Sequence, residues 1–203
     1  MSICDLRDLA ALNGVLNDIG LDKSLPTLFL SECVMIYMAP EESARLIEWA
    51  QKDFAASYFA LYEQVEPHDQ FGQAMLANLK ARGCPLLSIL EYPTIELQEK
   101  RFLDLGWQYV QAWNMERIYN DVVTKNKEER SRVNGLEMMD ELEEETLFHR
   151  HYCICIASHS VHSIEKNDQS WKLRFEEVEV PLGPVKQGSK FGAPFGGRRL
   201  VVD

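Results

Sequence analysis

LPTLFLSECVMIYMAPEESARLIEWA, spanning Leu25–Ala50, reads as a buried strand that ends in an acidic residue and runs on into a capped helix. Thr27–Met35 is a nearly unbroken apolar run, the pattern of a parallel strand covered on both faces. Pro40 suits the first turn of a helix, and Glu41 and Glu42 suit its positive end. Ala44, Leu46, Ile47 and Trp49 then keep helical spacing to about Lys52. In open α/β sheets, ligands bind in the crevice outside the carboxyl ends of the strands. Glu32 falls at such an end with no cation beside it in sequence, which makes it a candidate ligand contact. Tyr37 follows on the adjoining loop.

Outward from this stretch, helix-like and strand-like segments alternate as far as Ser158. Leu6–Ile19 has helical spacing, and Tyr58–Val65 (YFALYEQV) is a second apolar strand with a polar end. Asp69–Arg82 and Thr94–Leu105 read as helices stopped at Gly83 and Gly106. Trp107–Trp113 reads as a strand and Met115–Val122 as a helix. Lys125–Val133 and Met138–Phe148 read as charged helices, and His151–Ser158 closes the series as a strand. This order predicts an α/β fold, half or more of a doubly wound sheet. Residues 1–160 form the expected domain. Residues 161–203, rich in glycine and proline, read as a mostly irregular tail with one strand over Trp171–Val180.

The chain has 203 residues, 46% hydrophobic and 26% charged, which is ordinary for one globular domain. A net charge of −11 weighs against nucleic acid and against anionic membrane surfaces as partners. Five cysteines without regular spacing do not form a disulfide framework, so a reduced, cytoplasmic protein is expected. Cys153 and Cys155 alternate on a strand and should share a core face. His149 and His151 would also share a strand face, but no third ligand stands near enough for a metal site. The acidic run Asp140–Glu145 reads as a solvated face.

Several of these segments together resemble the leucine carboxyl methyltransferases: DLRDL at Asp5–Leu9, LPTLFLSECVMIYM, ALYEQV at Ala60–Val65, and RHYCICIAS at Arg150–Ser158. The resemblance runs from about Asp5 to Ser158 and leaves the tail uncovered. It implies a Rossmann-like methyltransferase sheet with a helical substrate-covering insert. It also implies S-adenosyl-L-methionine as cofactor and the C-terminal leucine carboxylate of the protein phosphatase 2A catalytic subunit as substrate and partner. The tRNA wybutosine methyltransferases are a related branch, and the RHYC ending favours the phosphatase enzyme. No G-x-G occurs before residue 70, although methyltransferases of this class bind the cofactor through a Gly-rich loop after their first strand. The chain therefore reads as the C-terminal portion of the domain. An inactive form that keeps a phosphatase-binding surface is the alternative expectation.

The resemblance also assigns residues. Asp5 and Leu6 match the Asp-Leu pair at the adenine end of the cofactor, where an acid accepts an amine hydrogen bond and an apolar neighbour packs on the ring. From position alone, Asp5 is equally a helix N-cap. Glu32 matches the acid that ends the fourth strand and faces the cofactor; a strand-end pairing with Arg45 is the plain alternative. Tyr37, Tyr62, Glu63 and Gln64 would line the substrate side, with Tyr37 placed to orient a carboxylate. Asp69, Phe71, Gly72 and Gln73 open the next helix as part of a lid. The chemistry itself needs no general base, because an α-carboxyl group, with a pKa of about 3.5, is already ionised at neutral pH. In-line positioning and exclusion of water are what a site must supply.

Overall fold

The computed structural model describes residues 4–136 and 142–160, together with the backbone of 174–177 and 198–201. Asp8, not Asp5, caps the first helix, α1 (Leu9–Asp18), by accepting the Ala11 N–H at 3.0 Å. Strand β1 (Thr27–Glu32) leads through a tight 3₁₀ turn, Met35–Tyr37, into α2 (Pro40–Lys52). The start of α2 is fixed by Pro40 and by Glu42, whose carboxylate accepts the Ala39 N–H at 3.0 Å. Then come β2 (Ala56–Gln64), α3 (Gln70–Ala81), α4 (Ile95–Leu103) and β3 (Tyr109–Asn114). Helices α5 (Met115–Tyr119), α6 (Lys127–Asn134) and α7 (Leu142–Arg150) precede β4 (Tyr152–Ser160).

These strands form one sheet in the order β1-β2-β4-β3, with β1 parallel to β2 and β4 antiparallel to both of its neighbours. The reversed β4 has a simple cause. Helix α5 starts where β3 ends and α7 ends where β4 starts, so α5–α7 enter and leave at the same sheet edge. The chain makes no crossover and must run back. The fold is α/β, as expected. Within the expected tail, β5 (Arg174–Glu177) pairs antiparallel with β6 (Arg198–Val201) in a separate unit, and the rest of 161–203 lies outside the described residues.

Cross-strand register explains which side chains are buried. Phe29, Phe59, Ala157 and Val110 share one row, and Ser31, Leu61, Cys155 and Ala112 the next. This face carries the core, where the rings of Phe29, Trp49, Phe54, Phe59, Phe102 and Trp107 pack with centroids 4.9 to 5.9 Å apart. Leu9, Leu12 and Leu16 of α1 pack against the same cluster. Cys153 and Cys155 lie on this face, fully buried, and burial pushes the Cys153 thiol up to about 12. The opposite face differs from expectation. Leu28 and Leu30 are 65% and 77% exposed, so β1 is covered on one face only among the described residues. Its even-numbered side chains point the other way, in rows with half-buried Tyr58, Ala60 and Ile156. No helix among the described residues is long and apolar enough to cross a membrane.

Candidate functional site

The carboxyl ends of β1, β2 and β3, together with the start of β4, make one edge of the sheet. At the end of β1, Cys33 takes a left-handed backbone (φ 50°) while its N–H donates to the Tyr62 carbonyl at 2.8 Å. The chain therefore turns out of the sheet directly after Glu32. Glu32 is exposed and makes no hydrogen bond or ion pair with any described residue, so the pairing with Arg45 does not form. Its burial between Ser31 and Cys33, implied by the apolar run, is not observed either, because it lies on the face of β1 that no described residue covers. An unengaged carboxylate at this edge keeps all of its acceptor capacity for a ligand.

Tyr62 stands beside Glu32 in register on the same face. Its ring stacks on Tyr152 at 5.2 Å between centroids, and the Gln64 amide donates to the Tyr152 hydroxyl at 3.4 Å. Burial, with the Tyr152 hydroxyl close by, pushes Tyr62 up to about 12, and burial raises Tyr37 as well. Tyr62 and Tyr37 are therefore neutral hydrogen-bond donors at pH 7. Tyr152 is a site residue that sequence reasoning missed, because the antiparallel register that sets it opposite Gln64 joins residues 88 apart in the chain.

Glu63 is placed elsewhere than expected. It is 1% exposed at its side chain, inside the core beneath the loop that carries Tyr37. One carboxylate oxygen accepts the Ile36 N–H at 2.6 Å and the other accepts from Arg101 Nη1 at 3.2 Å. Tyr62 and Glu63 point to opposite faces because successive strand residues alternate. Glu63 thus cannot line a pocket for substrate; it fixes the backbone between Glu32 and Tyr37. Burial raises its carboxyl, while the Arg101 guanidinium and the Ile36 amide oppose that rise. Ser88 clasps the same loop, its N–H donating to the Ile36 carbonyl at 3.2 Å and its hydroxyl to that of Met35 at 3.3 Å.

Asp5 sits in a turn ahead of α1, held by the Arg7 guanidinium through three hydrogen bonds, the shortest 2.6 Å. These bonds, with the Arg7 backbone N–H, hold Asp5 down at about 2. Arg7 also lies 3.9 Å from Glu42, which ties this turn to the start of α2 and so to the strand-end edge. Leu6 packs against the core cluster rather than standing free beside a ligand.

Asp69 caps α3 by accepting the Gly72 N–H at 2.7 Å and also meets His151 Nε2 at 2.9 Å. His151 is buried, with Nδ1 2.7 Å from the Leu147 carbonyl. The opening of α3 is thereby locked to the end of α7, and Phe71 packs between Phe148 and His151. His149 lies on α7 rather than on a strand, its ring tilted 34° against that of Tyr119, so the two histidines share no strand face. Gly72 is required sterically, since a Cβ there would meet the Glu66 carbonyl oxygen at 2.3 Å and Pro67 backbone atoms at 2.6 and 2.7 Å. Gly72→Ala is expected to cost about 1–3 kcal/mol, as overpacking does. A urea melt of this variant within 0.5 kcal/mol of the parent chain would show that the Glu66–Pro67 turn yields freely.

Comparison with known proteins adds the following. Residues 1–51 match a family model described as leucine carboxyl methyltransferase. The leucine carboxyl methyltransferase 1 homolog of Arabidopsis thaliana is 43% identical over 153 residues, which is 75% of this chain and 46% of that protein. Leucine carboxyl methyltransferase 1 of Rattus norvegicus is 40% identical over 154 residues, 76% of this chain and 46% of the relative. The tRNA wybutosine-synthesizing protein 4 of Homo sapiens is 41% identical over 154 residues, 76% of this chain and 22% of its own length. The chain spans about half the length of the methyltransferases it matches. Among solved structures, a DUF574 family protein from Streptomyces avermitilis shares the fold with a TM-score of 0.50 and 13% identity, over 76% of this chain and 52% of that one.

Proposed function

We propose, from the premise that this chain belongs to the leucine carboxyl methyltransferase family, that its strand-end edge takes part in methyl transfer to a carboxylate. The donor is S-adenosylmethionine, and the acceptor is the C-terminal leucine carboxylate of the protein phosphatase 2A catalytic subunit. The observation that carries this reading is the free Glu32 carboxylate beside the neutral phenol of Tyr62, on which the Tyr152 ring stacks, with no general base among them. S-adenosylmethionine, when bound, supplies an electrophilic methyl group on a cationic sulfonium. The residues fit such a group in part. Glu32 can accept hydrogen bonds from its hydroxyl or ammonium groups. Asp5 fits an adenine amine less readily, because Arg7 already occupies both of its oxygens.

The acceptor carboxylate is ionised at neutral pH, so the edge residues need only hold it in line and exclude water. Tyr37 and Tyr152 hydroxyls can donate to that carboxylate, and Gln64 fixes Tyr152 from behind. The test is transfer of radiolabelled methyl from S-adenosylmethionine to a peptide ending in a free leucine, with the C-terminal amide as control. Base-labile label on the free acid alone supports the reading; label on both peptides contradicts it. Binding of the free-acid peptide without transfer would identify a phosphatase-binding module instead. A tRNA-modifying role has one point in its favour, the nearly equal identity to the wybutosine-synthesizing protein. The charge of −11 weighs against it. Label in tRNA and none in peptide would decide for that role.

A further inference from the structure

The 3₁₀ turn Met35–Tyr37 is held by residues far along the chain, and the peptide planes on either side of its buried centre, Ile36, are each pinned at both ends. Between Met35 and Ile36, the carbonyl accepts the Ser88 hydroxyl at 3.3 Å and the N–H donates to Glu63 at 2.6 Å. Between Ile36 and Tyr37, the carbonyl accepts the Ser88 N–H and the N–H donates to the Val34 carbonyl, both at 3.2 Å. Ser88 therefore reaches both planes. It is itself buried, and its own carbonyl accepts the Glu91 and Tyr92 N–H groups at 3.1 Å, which fixes the loop it stands on. The Ile36 side chain adds a second tie. It packs with Leu86 and Ile89 against α3, in a small core separate from the one on the sheet face. Backbone strain marks the same turn. Cys33 holds a φ of 50° without being glycine, and such a residue persists where its surroundings over-determine it.

We propose that Ser88 is a positioning residue, which sets the direction of the Tyr37 hydroxyl toward an acceptor carboxylate; this rests on the carboxylate reading of the strand-end edge. The Tyr37 hydroxyl makes no hydrogen bond with any described residue, so its aim comes from the backbone beneath it. That backbone is the one Ser88 holds. The peptide that Ser88 N–H grips through the Ile36 carbonyl is the peptide that carries the Tyr37 nitrogen. Glu63 holds the turn from the core side and Ser88 from the loop before α4, so neither alone leaves Ile36 a choice of orientation. A donor fixed in this way loses little conformational freedom when it meets its ligand, which is what in-line placement requires.

Amide exchange followed by NMR on the full chain tests this with Ser88→Ala, which keeps the N–H and removes the hydroxyl. Ser158→Ala is the control, because the buried Ser158 hydroxyl has no partner among the described residues. Exchange at Ile36, Tyr37 and Met38 is expected to quicken about twofold to tenfold, the net worth of one hydrogen bond, while the β2–β4 ladder keeps its rates. Binding of a peptide ending in a free leucine should weaken by a similar factor in Ser88→Ala, and by nothing further where Tyr37→Phe is already present. A merely structural serine would weaken it in both backgrounds. Exchange at the turn no faster than in Ser158→Ala, or quickened equally throughout the sheet, overturns the proposal, and so does a loss of binding that adds to that of Tyr37→Phe. A parent chain that shows the expected exchange but no preference for the free acid over the C-terminal amide overturns the carboxylate reading, and with it the purpose assigned to Ser88.

Discussion

Exchanging Arg101 for methionine is expected to destabilise the chain by about 3–5 kcal/mol, the usual cost of leaving a buried charge without its partner. Arg101 and Glu63 are both inside the core, with side chains 0% and 1% exposed. The guanidinium also meets Gln98 Oε1 at 3.3 Å and lies 4.2 Å over the Tyr92 ring. Without it, Glu63 keeps only backbone N–H donors, Ile36 foremost and Met35 beside it. The effect reaches the candidate site, because Glu63 holds the turn that presents Tyr37.

The pH dependence has a definite sign. Burial already raises the Glu63 carboxyl, and removing Arg101 takes away the main opposing influence. An acid whose native pKa is raised adds stability below its unfolded pKa and loses that contribution as pH rises. The deficit of Arg101→Met should therefore grow from about pH 5 to about pH 7. Adding Glu63→Gln, which retains an acceptor for Ile36 without the charge, should recover much of the loss. Urea melts at the two pH values measure this. A double variant as unstable as the sum of the two single changes would mean that the pair is not coupled.

Phe102→Ala should cost a similar amount, about 3–5 kcal/mol, for a different reason. Phe102 is the next residue on α4 and is fully buried, with ring centroids 5.2 Å from Phe59 and 5.7 Å from Trp107. Both neighbours are large and locked by other rings, so the cavity has little chance to collapse. This loss should be nearly independent of pH, in contrast with that of Arg101→Met. A thermal melt within a few degrees of the parent would show that the aromatic cluster refills the space.

Sequence periodicity made the strand–helix alternation legible, including the helix starts at Asp69 and Thr94 and the shared buried face of Cys153 and Cys155. It could not show that β4 runs backwards, because the long helical connection after β3 reads the same whether or not it crosses the sheet. Nor could it show that only one face of β1 is covered among the described residues, because an apolar run has the same pattern whether one face is covered or two. Glu63 misled for a related reason. A polar residue at a strand end looks like a ligand contact, and only the distant Arg101 reveals that it faces inward. Glu32 and Tyr62 do share a face at the strand-end edge, as period-two alternation across a parallel pair requires. Tyr152 joins them from far along the chain, which local pattern alone does not disclose.

The central claim is that the Glu32 edge receives the methyl donor, and calorimetric titration of the purified chain with S-adenosylhomocysteine tests it most directly. Saturable binding in the micromolar range, weakened at least tenfold in Glu32→Ala, is the predicted result, the lost interaction being worth about 1.4 kcal/mol or more. A folded chain that shows no binding heat, or that binds equally well with alanine at position 32, would contradict it.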